Sequence, residues 1–148
     1  MSVQNGAALT LDRADIADAR AGLLAMGAGT RIAATDIIVR DMLGAPCTDT
    51  GCPPEPEGLG VGSFAGATVE VERFVVERAS LCGIQVASAG ILRLRTGEVR
   101  ENEIGACVQI EGYDIGTLSS DVGYRDNGTN LQTTTLPVPE PLEGLPDP

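Results

Sequence analysis

The chain has 148 residues, of which 43% are hydrophobic but only 3% are aromatic. This length fits one domain, and its core must be built from Val, Ile, Leu and Ala. The formal net charge is −11, with no Lys and no His, which argues against a nucleic-acid partner because phosphates would be repelled. The missing imidazole excludes Ser-His-Asp and Cys-His catalysis and any zinc site that needs His.

Membrane and export signals are absent from these residues. No window comes near the run of roughly 18 consecutive apolar residues that a transmembrane helix needs, and the opening MSVQNGAALTLD has neither a basic segment nor an apolar one. We therefore expect no transmembrane helix and no signal peptide in this chain. The chain is then either cytosolic or a piece of a longer protein.

Apolar residues recur in four alternating sets, each with a strand, a one-residue corner and a second strand: Leu9–Ile16, Ile32–Val39, Val69–Val76 and Leu92–Val99. Short third strands containing Gly follow these sets. Three short strands in a period of about 23 residues predict a stacked coil. Helix is a poor alternative, although DRADIADARAGLLAM taken alone could form one. The alternation predicts that seven side chains point inward: Val69, Val71, Phe74, Val76, Leu92, Leu94 and Val99.

The step from the second set to the third is longer than the other two, and its surplus falls in MLGAPCTDTGCPPEPEG. We interpret residues 42–58 as a loop inserted at one corner of the coil. The final residues, LPVPEPLEGLPDP, hold five prolines in thirteen positions. They predict a Pro-rich tail or linker over 136–148, because proline cannot donate to a sheet. The coil itself is expected over 1–135.

The segments VRENEIGACVQ and YRDNGTNLQ resemble the repeat of right-handed parallel β-helix proteins, the pectate-lyase-like family. The resemblance covers about residues 7–135. It implies an all-β fold, a right-handed parallel solenoid of four to five coils with a period of about 23 residues. The residue usage, with abundant Ala, Gly and Arg and no Lys, also resembles that of uncharacterised exported bacterial β-helix proteins. The fold carries many activities and does not select one.

In-register coils stack residue i on residue i+23, which places opposite charges over one another. Glu70 falls over Arg93, and Glu72 falls over Arg95. Such stacked pairs stabilise neighbouring strands, so we interpret Glu70 and Glu72 as members of a structural ladder of charges. Further alternating columns are Arg40, Glu77 and Arg100; Asp41, Arg78 and Glu101; and Arg13, Asp36 and Arg73.

Two asparagines occupy the D/E-N corner of successive coils. Asn102 and Asn127 tolerate left-handed backbone, and their amides can bond to one another between coils. We therefore predict a short internal Asn ladder. The register of this last coil stays open, because its corner fits a longer step from the coil before it, whereas Val122 fits the ordinary one.

The resemblance suggests two chemistries to test. Polygalacturonase-like members use paired aspartates with a nearby His, a pattern that this chain lacks. Lyase-like members use a calcium-binding acidic cluster, for which Asp12, Asp15 and Asp18 are weak candidates at the first coil. We expect no catalytic residues and no cofactor.

The four cysteines divide into two kinds. Cys47 and Cys52 lie within the inserted loop and are expected to form a disulfide in an oxidising compartment; reduced thiols or a metal remain alternatives. Cys82 aligns with Ile104 rather than with Cys107, so we expect no bond between these two cysteines.

The first coil begins almost at once and shows no capping helix, so we expect its strand edges to be open. The expected function is a non-enzymatic structural or binding module, the C-terminal coils of a larger exported or surface β-helix protein. It would self-associate or bind preceding coils through the open N-terminal end, with polysaccharide as a further possible partner. The alternative is a polysaccharide lyase or hydrolase domain that acts on acidic glycans.

Overall fold

The computed structural model describes residues 1–44 and 57–132. The described chain is mostly strand, as the period-2 pattern predicts. In chain order the elements are β1 (Ser2–Val3), β2 (Ala8–Ala19), β3 (Ala21–Met26), β4 (Arg31–Met42), β5 (Leu59–Phe64), β6 (Thr68–Ala79), β7 (Cys82–Ala87), β8 (Ile91–Arg100), β9 (Ile104–Gln109), α1 (Gly116–Ser119), β10 (Ser120–Arg125) and β11 (Thr129–Gln132). Most of the predicted inserted loop and the whole of the predicted tail lie outside the described residues.

These strands form a parallel β-solenoid, which confirms the predicted fold class. One sheet has the strand order β1-β3-β5-β7-β9-β11, and the other has the order β10-β8-β6-β4-β2. Every pairing is parallel. We number the coils 1 to 5 by their strand pairs, from β2–β3 in coil 1 to β10–β11 in coil 5.

The register between coils follows the spacing of the apolar sets. Ala8 pairs with Arg31, Arg31 with Thr68, and Thr68 with Ile91, which reproduces the short, long and short steps of the sequence. The step into coil 5 is the longer of the two that the sequence allows. Val122 pairs with Gly97, whereas the shorter step would have placed it beside Val99.

Left-handed corners divide each long strand into two faces. Arg13, Asp36, Arg73 and Thr96 share this conformation, with φ from 52° to 55°. A second set of corners follows in each coil, for example at Asp18 and Asp41. Left-handed backbone is costly for residues with a Cβ, so it recurs only because the stacked coils hold it in place. We call the segment before the first corner the first face, the segment between corners the second face, and β3, β5, β7, β9 and β11 the third face.

Glycines allow the third face to close against the second. A Cβ at Gly60 would overlap the carbonyl oxygen of Gly83 and the side chain of Val76, and Gly22 stands in the same relation to Gly60 and Val39. These positions therefore require glycine because the backbones approach too closely for any side chain.

The core fills the interior of the coils with stacked aliphatic residues, as composition predicts. All seven predicted inward residues are buried there: Val69, Val71, Phe74, Val76, Leu92, Leu94 and Val99. A second apolar cluster includes Met26, Phe64 and Cys107. Because successive strand residues point to opposite sides, this cluster lies on the other side of the third face. That sheet is thus apolar on both sides.

Candidate functional site at the ends of the solenoid

The N-terminal end of the solenoid carries an unpaired strand edge. Within the described residues, β2 is the terminal strand of its sheet and pairs only with β4. The third face of the same coil is covered, because β1 pairs with β3 through Ser2 with Leu24 and Val3 with Ala25. Among residues 1–44 and 57–132, one layer of strand is therefore present over the third face and missing over the first and second faces.

The inward side chains of β2 are only half buried. Leu9, Leu11, Ala14 and Ile16 pack against the core but keep part of their surface accessible, as does Ala19. Their counterparts in coil 2 are almost completely buried; Ile32, for example, is 1% exposed. The end of the core is thus accessible along the whole of β2.

Charged side chains line the outer side of the same edge. The side chains of Asp12 and Arg13 are 60% and 81% exposed, and they contact one another at 3.3 Å. Asp15 accepts two hydrogen bonds of 3.0 Å from Arg40 in coil 2. Asp12 and Arg13 form no ion pair with coil 2 among the described residues, so their charges face outward.

The calcium candidates Asp12, Asp15 and Asp18 do not form one cluster. Asp12 ends the first face, Asp15 lies on the second face, and Asp18 forms the following corner. Within residues 1–44 and 57–132, no group of three or more acidic or cysteine side chains could hold a metal ion.

At the C-terminal end, side chains that leave the strand pattern partly close the core, although β10 and β11 are the terminal strands of the two sheets in the described chain and Leu131 is 43% exposed. The short helix α1 precedes β10 on coil 5, and its Leu118 is 1% exposed and belongs to the main core. Ile110, Tyr113 and Tyr124 pack around the same core. A cavity of about 160 Å³ remains beside Leu118.

Two tyrosine hydroxyls fix this closure. The Tyr113 hydroxyl accepts a hydrogen bond from the Leu92 amide and donates to the Leu92 carbonyl, each at 2.9 Å. The Tyr124 hydroxyl donates to the Leu118 carbonyl at 2.9 Å. Burial raises the pKa of Tyr124 well above its ordinary value, because the phenolate would be poorly solvated.

The outer surface of the middle coils carries the charge ladder. Arg93 donates to Glu70 at 3.0 Å, and Arg95 lies 3.6 Å from Glu72. These four side chains line a groove of about 440 Å³ that Thr117 and Ser120 also border. Both glutamates in the groove are thus paired with arginines of the next coil.

The corner columns are paired more tightly. Arg73 donates two hydrogen bonds to Asp36 at 2.7 and 2.9 Å, and Arg78 donates to Asp41 at 2.6 and 3.0 Å. Hydrogen bonds from the guanidinium groups hold the pKa of both aspartates below its ordinary value. The charges do not alternate at every step of the column that contains Asp41 and Arg78. Two acids are neighbours at each of its ends, Asp18 with Asp41 and Glu101 with Asp126.

The two corner asparagines contact one another between coils 4 and 5. The side-chain nitrogen Nδ2 of Asn102 donates to Oδ1 of Asn127 at 3.0 Å, and Oδ1 of Asn102 accepts a hydrogen bond from the backbone amide of Ala79 at 2.9 Å. Asn102 is 3% exposed. In coil 1 the same position is held by Ala19.

The prediction that Cys82 and Cys107 form no bond is wrong, because a disulfide joins them. The prediction used register alone, in which Cys82 pairs with Ile104 and Cys107 with Gln85. Bridge formation depends on the distance between the two Cα atoms, which is 6.1 Å and falls within the usual range of about 4.4–6.8 Å. The covalent link joins coils 3 and 4. Cys47 and Cys52 lie outside the described residues.

Sequence reasoning also missed the closure of the C-terminal end. The signal was present in EGYDIGTLSSD, where the alternation stops and one leucine stands among polar residues. That leucine is Leu118.

Comparison with protein-family models, curated proteins and solved structures finds no match to this chain. Among the described residues, no helix has the length and hydrophobicity needed to cross a membrane.

Proposed function

We propose that this chain is a non-enzymatic structural module that forms the C-terminal coils of a larger exported or surface β-solenoid, with further coils stacked on its N-terminal end. The observation that carries the proposal is the incomplete layer above coil 1. β1 fills that layer over the third face, while the β2 edge below it is unpaired among the described residues.

The turn after β1 supports this reading. Asn5 and Gly6 have φ values of 58° and 73°, and Ala65 and Gly66, which connect β5 to β6, have values of 51° and 80°. The segment from β1 to β2 therefore has the backbone pattern of a connection between two complete coils. This makes β1 equivalent to the end of the third strand of a preceding coil.

The chemistry of the surface also favours a structural role. The acids that line the groove on the first face are paired with arginines, and His is absent from the chain. A lyase or hydrolase needs an acid or base positioned toward its substrate, whereas these ion pairs give the groove carboxylates a structural role between neighbouring strands. The buried disulfide between coils 3 and 4 supports an exported location, because such bonds persist in oxidising compartments.

A graft tests the proposal directly. Ser2 occupies the layer position that Cys107 occupies in coil 4, since Ser2 pairs with Leu24 and the chain of partners continues through Gly62 and Gln85. A copy of residues 91–105 placed before Met1 would therefore supply the missing first and second faces. We expect this graft to raise the denaturation midpoint, because it buries the half-exposed residues of β2.

The control is a graft with the same residues 91–105 in shuffled order, without the alternation. An equal midpoint for both grafts and the parent chain would contradict the proposal. A screen of the parent chain on acidic polysaccharides, with and without Ca²⁺, is expected to show no cleavage. Turnover that Asp12→Ala or Asp15→Ala abolishes would replace the structural function with an enzymatic one.

A further inference from the structure

The β2 edge has a charge pattern that specifies what can bind there, and this inference rests on the proposed function for its site. The missing layer would cover β2, a strand of 12 residues. Its occupant must run parallel to β2, because every other neighbouring pair in that sheet is parallel. It must also lead into β1, which already occupies the third face of that layer.

The apolar pattern of the occupant follows from the side chains that it would cover. Leu9 and Leu11 point inward on the first face, and Ala14 and Ile16 point inward on the second. The residues stacked on them in coils 2 and 3 are apolar. In coil 3, for example, Val69 and Val71 continue the columns of Leu9 and Leu11. A fitting strand therefore has apolar residues at these four positions.

The charges select the residues at the corner. Asp12 and Arg13 are exposed and have no ion pair with coil 2 among the described residues. Asp36, which stands below Arg13, is bonded instead to Arg73 on its other side. A cation over Asp12 and an acid over Arg13 would each add a stacked pair of opposite charges.

The corner also restricts the backbone of the occupant. Arg13 holds this corner in coil 1 with a φ of 55°, and aspartate holds it in coils 2 and 5, at Asp36 and Asp121, with φ of 55° and 57°. Aspartate tolerates left-handed backbone better than most residues. Aspartate over Arg13 thus satisfies both the conformation and the charge.

We propose that the β2 edge binds the first two faces of a preceding solenoid coil: a parallel strand with apolar residues over Leu9, Leu11, Ala14 and Ile16, a cation over Asp12 and an aspartate over Arg13. A copy of β2 itself does not meet this description in the parallel register. It would place Asp12 over Asp12 and Arg13 over Arg13, and like charges directly opposite are destabilising.

Two synthetic peptides test the pattern. The peptide TVTVRDVTVTRA matches the 12 residues of β2 in length and places Arg over Asp12, Asp over Arg13 and Arg over Asp18. The control TVTVDRVTVTRA has the same composition but exchanges the two central charges. Binding is measured with labelled peptide by fluorescence anisotropy, and hydrogen exchange locates it on the chain.

We expect the matched peptide to bind about tenfold more tightly than the control, because two stacked pairs change from attraction to repulsion. Binding is also expected to slow amide exchange within β2. In the variant D12R/R13D the preference between the two peptides is expected to reverse. Both residues are exposed and Asp36 stays bonded to Arg73, so we expect this variant to keep the fold, which circular dichroism checks.

Failure to bind the matched peptide, or a preference that D12R/R13D leaves unchanged, would overturn the inference. If the peptide fails while the graft of residues 91–105 still stabilises the chain, the charge pattern is wrong and the proposed function stands. If the graft fails as well, both proposals fail. A dimer in light scattering whose β2 amides exchange slowly, without any binding of the matched peptide, would identify a second copy as the occupant instead.

Discussion

The two ends of the solenoid differ in how completely their apolar side chains are buried. Both ends terminate a stack of aliphatic layers, but Leu118 is 1% exposed at the C-terminal end, whereas Leu9 and Leu11 at the N-terminal end are half buried. The difference lies in local sequence. The closure at the C-terminal end uses residues outside the repeat. At the N-terminal end, β2 is the terminal strand of its sheet and still has the repeat pattern. A repeat specifies the middle of a solenoid, and each end needs residues of its own.

Truncating one leucine at each end is expected to give the largest contrast. Leu118→Ala should lower the free energy of unfolding by about 2–4 kcal/mol, because it leaves a cavity in the core. Leu11→Ala should cost about 1 kcal/mol, since part of this side chain is already in contact with water. Urea denaturation of both variants measures the difference. Equal costs would show that the N-terminal end is as closed as the C-terminal one.

Asn102 provides a second contrast within one stacked column. Ala19 holds this position in coil 1, but Asn102 makes hydrogen bonds to Ala79 and Asn127. Asn102→Ala should cost about 1–3 kcal/mol, because the buried Ala79 amide loses its partner. The matched control is Asn127→Ala at the less buried end of the ladder, where a smaller loss is expected. A loss of less than about 0.5 kcal/mol for Asn102→Ala would mean that water replaces these bonds.

The inward residues and the stacked charges of the middle coils could be predicted from sequence, because each coil repeats the apolar and charge pattern of its neighbour. Alternation placed Val71 and Leu94 inward, and the same register placed Glu70 beside Arg93. One correct step between coils therefore predicts many contacts at once. The repeat also predicted a free edge on β2, and among the described residues β2 pairs only with β4.

The features that sequence reasoning missed depend on residues outside the repeat. Leu118 enters the core from a helix of four residues, and no neighbouring coil in the described part of the chain contains its equivalent. The bond between Cys82 and Cys107 depends on the approach of two backbones, which register does not give. The longer step into coil 5 could not be chosen from sequence, because Val122 fits the apolar pattern at the shorter spacing while the corner fits the longer one.

Alkaline pH is expected to loosen the C-terminal end. Burial raises the pKa of Tyr124 above its ordinary value of 10.0, so the folded state disfavours the phenolate that the unfolded chain forms. The contribution of Tyr124 to the free energy of unfolding is therefore fully present below pH 10 and is lost as the pH rises further. Tyr124→Phe should lose about 1 kcal/mol at pH 7 with its hydrogen bond to Leu118, and it should remove this part of the alkaline decline. Tyr113→Phe, which keeps Tyr124, should retain that part.

Acid is expected to act on the middle coils, with the smallest effect of the series. Burial pushes the pKa of Glu77 upward, but hydrogen bonds and charges from Arg100 and Arg78 outweigh it and bring the pKa below the ordinary 4.5. A carboxyl with a lowered pKa stabilises the fold above that ordinary value, and the contribution is lost as the pH falls through the native pKa.

Glu77→Gln should therefore reduce stability at pH 7 and flatten the decline of stability below pH 4.5, measured by thermal unfolding across pH 2–7. The matched control lies at the open end, where Asp12 has an exposed ion pair with Arg13. Asp12→Asn should change the free energy of unfolding at pH 7 by less than about 0.5 kcal/mol. Once the matched peptide TVTVRDVTVTRA is bound, the same substitution should become more costly, because Asp12 then faces a cation. An Asp12→Asn variant that the peptide stabilises as much as it stabilises the parent chain would show that this charge takes no part in binding.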